Sequence, residues 1–422
     1  MRQLLILSVI CVGLLLPAAG PSQAELLKGK MKLITETSVQ TARLGGVDVP
    51  PADVLVKMHK NQYILRAAGG KLTKVPVERN LLPHSDGMSP QSTQVDLGPE
   101  GVVYVRQSEK LCKSTDGGRT WTVLPFAAPP GFSMDDTGRW KVLRDGTFIC
   151  VAMKNHDAKG PAVVWTSRDE GQTWKKRSEI ELDMKLPQTD KPYVFRYCHR
   201  GLDRLQDDTL LWAPDVRDDP YTLGHALYYF RSTDSGKTWS EPAVWIDWGS
   251  EGAATRLPSG KVLCVIRYQR EADDDDGPEI RKAMGAYASR PEKIGFKNVF
   301  LMDSHDGGQT WSTPRMLTTA FGQTFGYPAA QGDGTVVVVH DTRYGPGPAG
   351  ARAMISRDEG QTWLDEVYYL DHSVFVGSYS ASVVFEDDTI LTISGSSQAG
   401  NDWNAVSNQT DLYAIRWKPV KD

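Results

Sequence analysis

Three short segments in the second half of the chain carry an acid, a phenol and guanidinium groups in repeating positions. Ser250-Glu251 opens the first, and its strand Lys261–Arg267 ends on an arginine. Tyr327-Pro328 opens the second, and its strand runs into Asp341-Thr342-Arg343. Gly377-Ser378-Tyr379-Ser380 opens the third. A guanidinium grips a carboxylate through two parallel N–H donors, which an ammonium does less well. A tyrosine hydroxyl stays neutral until it attacks, and an adjacent glutamate takes its proton.

Such groups need a scaffold that brings distant segments together, and the sequence contains one. The signature Ser-x-Asp-x-Gly-x-Thr-Trp occurs five times, at Ser114–Trp121, Ser167–Trp174, Ser232–Trp239, Ser304–Trp311 and Ser356–Trp363. Its residue types describe a tight hairpin brace. Aspartate accepts from backbone N–H groups a few residues on, glycine admits positive φ, and tryptophan fills space between sheets. Five equivalent aspartates are a structural device, since chemistry needs one site. Between the braces one grammar recurs: a strand, an Asp-Gly-like turn, an apolar strand, a loop, a third strand, the brace and a fourth strand. This predicts an all-β fold, a six-bladed β-propeller of four-stranded antiparallel sheets. The blades start near residues 92, 134, 195, 250, 325 and 377, and Asp411–Trp417 takes the third-strand place in the last.

Strand order then sorts the faces. Each box joins strands three and four. The starts of first strands and the ends of second strands lie on the opposite face. Glu251 and Tyr379 precede first strands, and Arg267 and Arg343 end second strands, so all four converge there. The same rule brings Arg106, His156, Asp157, Arg200, Asp215, Arg217 and His340 near that face, where each singly reads as a loop or packing residue.

The boxes resemble the Asp-box, or BNR, repeats of the sialidase (neuraminidase) superfamily over residues 92–417. The segments around Glu251, Arg267, Arg343 and Tyr379 are similar to that superfamily's catalytic segments. The resemblance implies an exo-α-sialidase, a retaining glycoside hydrolase. Tyr379 would be the nucleophile, Glu251 its base, and Arg267 and Arg343 the grip on the substrate carboxylate. A sialoside carries that carboxylate on its anomeric carbon, where a carboxylate nucleophile would be repelled and a phenol would not. The family's early Phe/Tyr-Arg-Ile-Pro arginine and loop aspartate are absent from Gln94–Trp121. Arg200 and Asp215 of the third blade occupy analogous positions and serve in this reading as the third arginine and the acid; Arg106 is another substitute. Ser394-Gly395-Ser396 stands where the family often has a closing glutamate. The expected partner is a glycan with a terminal acidic sugar, and the chemistry requires no cofactor. A propeller glycosidase or lyase for another acidic glycan, or a noncatalytic glycan-binding propeller, are the alternatives.

The remaining features bound the setting. The 422 residues carry a formal net charge of −4, which argues against a nucleic-acid partner. Arg2, the apolar run Leu4–Leu16 and the small residues Ser22 and Ala24 read as a cleavable leader ending after Ala24, hence a secreted or periplasmic protein. No other segment reads as a membrane span. The expected division is residues 1–24 as leader, 25–91 as an entry segment with a ring-closing strand at Met31–Val39, and 92–422 as the propeller. Cys112, Cys150, Cys198 and Cys264 form no CxxC and read as buried free thiols, with disulfides, in any of three pairings, the alternative. Asp273–Asp276 reads as a solvated acidic loop, with calcium binding the alternative.

Overall fold

The computed structural model describes residues 43–83, 94–107, 110–132, 138–154, 157–158, 160–182, 194–196, 201–205, 207–217, 226–246, 249–271, 295–318, 322–342, 347–372, 379–397 and 410–421. Six antiparallel sheets form the blades of a β-propeller. Blade 1 is Gln94–Leu97, Val103–Gln107, Lys110–Ser114 and Thr122–Pro125. Blades 2, 3, 4, 5 and 6 have first strands Gly138–Val142, Leu202–Arg204, Gly249–Arg256, Gln323–Ala330 and Ala381–Val384.

The apolar patterning follows from radial stacking. A blade between two others is covered on both faces, so its inner strands read as unbroken apolar runs rather than alternating ones. Val336, Val337, Val338 and Val339 are all fully buried for this reason. An apolar cluster fills each space between neighbouring blades, including the one that joins blade 6 to blade 1.

The boxes brace these interfaces. In blade 2, Asp169 Oδ1 accepts from the Thr173 amide at 2.9 Å, and Oδ2 accepts from the Thr173 hydroxyl at 2.6 Å. Ser167 Oγ accepts from the Gly171 amide at 2.9 Å. The other boxes repeat this pattern at Asp116, Asp234, Asp306 and Asp358. The tryptophan of each box packs in the space between its own blade and the preceding one. Trp311 meets Trp245 of blade 3 with centroids 5.0 Å apart, and Trp174 donates to Ala127 O at 2.7 Å. Blade 6 has no box, and Trp417 at the end of its third strand fills the equivalent space against blade 5.

The ring closes differently from the expectation. Met31–Val39 lies outside the described residues. The fourth-strand place of blade 6 is held by Glu78–Leu81, with Tyr413 opposite Leu81 and Arg416 opposite Glu78. Residues Tyr63–Ala68 and Lys71–Pro76 extend blade 5 as a hairpin beyond its fourth strand, Glu366–Tyr369. Helix α1, Ala52–His59, packs Leu55 and Met58 onto that extension.

Cys112, Cys150 and Cys264 are buried and form no disulfide among the described residues, while Cys198 lies outside them. No helix among the described residues is long and apolar enough to cross a membrane.

Candidate active site

The first strands of blades 4, 5 and 6 begin with the same unusual backbone. Glu251, Phe325 and Tyr379 have φ of 53°, 57° and 52°. Large side chains rarely adopt this left-handed region, and each such residue costs about 1–3 kcal/mol. Bulges accompany the first two, with register shifts between Ser250 and Ala253 and between Thr324 and Tyr327. A small residue follows each time. A Cβ on Gly326 would lie 2.2 Å from Val265 Cγ1 of blade 4, so glycine is needed for the blades to close. In blade 6 the equivalent residue is Ser380. The strain aims three side chains into one place.

There they meet. Tyr379 Oη donates to Glu251 Oε1 at 3.0 Å. Arg267 Nη1 stands 2.8 Å from Glu251 Oε2, and its Nε donates to Ser250 Oγ at 2.9 Å. Phe325 stacks on the Tyr379 ring, with centroids 3.5 Å apart and planes at 30°. Phe325 also lies against Arg267, whose guanidinium carbon is 5.0 Å from the ring centroid. All four residues are buried. Tyr379 is also held from behind, its amide donating to Asp341 Oδ2 at 2.6 Å.

The arrangement couples a phenol to a proton acceptor beside a buried cation. The carboxylate faces the phenol with one oxygen and the guanidinium with the other, so its orientation is fixed at both ends. Three of the residues expected from the sequence are thus brought together: Tyr379, Glu251 and Arg267. Asp215 is buried in blade 3 at the start of Asp215–Arg217, opposite Arg196 and Leu227. Arg343 and Arg200 lie outside the described residues, as do His156 and the Asp273–Asp276 loop. Asp157 and Arg217 are described as strand backbone, opposite Arg196 and Val194.

Arg106 is fully buried at the end of its strand, opposite Gln94. Burial, and then the charge of Arg352 on the neighbouring strand, push the His340 imidazole down to about 3. It is therefore held neutral at ordinary pH.

Sequence reasoning missed three features. Arg139 is buried at the start of blade 2's first strand, on the face where Glu251 and Tyr379 open theirs. Burial pushes the nearby Cys150 thiol up to about 12 although the charges of Arg106 and Arg139 both pull it down, so the two arginines share one region. Phe325 was hidden by its apolar type. Its signal was the recurrence of Ser250-Glu251-Gly252, Thr324-Phe325-Gly326 and Ser378-Tyr379-Ser380 at three blade starts. Asp341 was hidden because its partners are set by the tertiary fold. Among the described residues no group of three or more His, Cys, Asp or Glu side chains could hold a metal ion.

The architecture is that of a sialidase-like β-propeller. Residues 94–306 match the BNR repeat-like domain family, and the chain belongs to that family. The xyloglucanase Xgh74A of Acetivibrio thermocellus is 28% identical over 194 residues, covering 38% of this chain and 20% of that relative's length. The chain therefore aligns with about a fifth of that curated relative. Solved structures of similar fold include the α-L-arabinanase of Penicillium chrysogenum complexed with arabinobiose, at 15% identity and a TM-score of 0.53 over 81% of this chain and 98% of that one. The α-L-arabinofuranosidase Arb93A of Fusarium graminearum, in complex with an iminosugar inhibitor, has 16% identity and a TM-score of 0.54 over 80% and 96%. The NanB sialidase of Streptococcus pneumoniae has 12% identity and a TM-score of 0.51 over 82% and 71%. At these identities the likeness is one of fold.

Proposed function

We propose that the protein is a retaining glycoside hydrolase of the exo-α-sialidase type, with Tyr379 as nucleophile. The observation that carries this reading is the buried hydrogen bond of 3.0 Å from the Tyr379 hydroxyl to Glu251. A buried phenol attacks only if its proton has somewhere to go, and Glu251 is in reach to take it.

In this reading Tyr379 Oη attacks the anomeric carbon as its proton passes to Glu251. The bond to the leaving oxygen breaks, and an acid protonates that oxygen. Asp215 is assigned to that role. Water then attacks the anomeric carbon and gives a proton to the Asp215 carboxylate. The bond from that carbon to Tyr379 Oη breaks with its electron pair going to the phenolate, and the phenolate takes its proton back from Glu251. Arg267 holds the substrate carboxylate together with Arg343 and Arg200, and Arg139 is the further buried arginine on this face. The substrate is a glycan ending in an acidic sugar, met outside the cytoplasm after removal of residues 1–24.

One observation favours a second reading. Arg267 is already engaged by Glu251 at 2.8 Å, which leaves less of it for a substrate carboxylate. A propeller glycosidase acting on another sugar would use the same Tyr379–Glu251 pair and spend Arg267 on orienting the glutamate. The arabinan-active proteins of similar fold agree with this second reading.

Release of a fluorescent aglycone from aryl sialosides and aryl arabinofuranosides separates the two. The first reading expects sialoside turnover that Tyr379→Phe abolishes. Turnover of the arabinofuranoside alone, with the same loss in Tyr379→Phe, moves the assignment to the second. Turnover indifferent to Tyr379→Phe overturns both.

A further inference from the structure

The segment before the first blade reaches the site through a line of buried polar groups. Helix α1 ends on His59, which is almost wholly buried. Its Nδ1 is hydrogen-bonded to Asp371 Oδ1, just beyond the fourth strand of blade 5. Asp371 Oδ2 accepts from Ser394 Oγ at 2.8 Å. Ser394 Oγ lies 3.2 Å from Ser380 Oγ, and Ser380 Oγ lies 3.3 Å from Asp341 Oδ1. The other oxygen of Asp341 accepts the Tyr379 amide at 2.6 Å. Every member is buried, and the line crosses from blade 5 to blade 6.

The line has a direction. A serine hydroxyl has one proton to give. Ser394 gives its proton to Asp371 and accepts from Ser380, so Ser380 has spent its proton there and the line ends on Ser380, the residue that directly follows Tyr379. The orientation of each group thus depends on the one behind it. At the far end Asp371 needs positive partners, because a buried carboxylate without them is costly. Burial raises its carboxyl, but the hydrogen bond and charge of His59, the charge of Arg79 and the Ser394 hydroxyl together hold it below the usual carboxylate range. Arg79 also donates to Leu370 O at 2.9 Å. His59 and Arg79 both come from the segment before the first blade. Among the described residues, His372, Tyr413 and Asp341 are further charged or titratable neighbours.

We propose that His59 is a positioning residue for Tyr379: through Asp371, Ser394 and Ser380, the residue next to Tyr379, it holds the strained backbone that aims the phenol at Glu251. This rests on the reading of Tyr379 as nucleophile for its catalytic consequence, but not for its structural one. The N-terminal segment is on this account part of the active site's framework, although it touches no reacting atom.

The test uses the full chain and the variants His59→Ala and His59→Asn, the second keeping a donor near the Nδ1 position. Asp234→Ala, in the box of blade 3, controls for general loss of stability. Hydrogen exchange at the Tyr379 amide is read alongside kcat and KM. In His59→Ala the Tyr379 amide exchanges about tenfold faster while amides of blade 2 keep their rates. In the same variant kcat falls about tenfold with KM within about twofold. His59→Asn recovers both, and Asp234→Ala moves neither. Unchanged exchange at Tyr379 in His59→Ala overturns the proposal, as does an equal effect in Asp234→Ala. Faster exchange with turnover that survives Tyr379→Phe upholds the relay and overturns the functional reading instead.

Discussion

The Tyr379 hydroxyl donates to Glu251 Oε1 at 3.0 Å although 128 residues separate the two in sequence. The contact joins blade 4 to blade 6 across the face opposite the boxes. It exists because both residues open first strands in the same left-handed conformation. Arg267, at the other oxygen of Glu251, belongs to the neighbouring strand of the same blade. The site is thus a product of strand order and of local strain repeated at three blade starts.

Phe325 tests the value of that repetition. Its ring supports both Tyr379 and Arg267. Phe325→Leu removes the flat support and lets the phenol swing. Misplacement of this kind costs up to about 100-fold in kcat, and KM is expected to change little. Phe325→Tyr retains the ring and most of the activity. Steady-state kinetics on both variants, with thermal melts to exclude unfolding, check this. Equal losses in the two variants would show that ring stacking is not what matters.

Arg267 has a stability role that can be measured on its own. Its guanidinium and the Glu251 carboxylate are both buried. Removing one partner of a buried pair strands the other charge and costs about 3–5 kcal/mol. Arg267→Met is therefore expected to lower stability in urea melts by about that amount, and Arg267→Met combined with Glu251→Gln by less than Arg267→Met alone. A double variant no more stable than the single one would contradict the pairing.

The boxes predict the acid limb of stability. The hydroxyls of Thr173 and Ser167 and the Thr173 amide hold Asp169 at about 2. At Asp234 and Asp358 burial opposes, yet the same hydrogen bonds prevail and hold each carboxyl at about 2. The unfolded value is about 3.9. A folded pKa below the unfolded one gives stability that is complete above the unfolded value and is lost as pH falls toward the folded one. The melting temperature should therefore be flat on this account down to about pH 4 and fall most steeply from there to about pH 2. Asp169→Asn flattens that limb. A limb of the same slope in that variant would remove the boxes from the explanation.

Much of this was legible in the sequence for physical reasons. A box closes its hydrogen bonds within eight residues, so its pattern survives as a local signature wherever a hairpin needs bracing. The convergence of Glu251, Tyr379 and Arg267 followed from strand order alone. Arg139 was overlooked because the search for a further arginine went to Gln94–Trp121 and to the third blade, while Arg139 is buried in the first strand of blade 2. The closing strand was sought in a segment rich in β-branched residues, Met31–Val39. The strand that holds the place is Glu78–Leu81, which keeps Leu81 and Glu78 exposed as an outermost strand can. His59 and Asp371 carried no signal, since 312 residues separate them and only the finished fold brings them together.

The central claim is that Tyr379 forms a bond to sugar carbon. An activated glycosyl fluoride bearing a second fluorine on the ring slows release of such an intermediate and allows it to be caught by intact-protein mass spectrometry. The account predicts a mass gain of one glycosyl unit, mapped by peptide sequencing to Tyr379 and absent from Tyr379→Phe. Label on any other side chain, or turnover of the activated substrate with no label and no dependence on Tyr379, would contradict it.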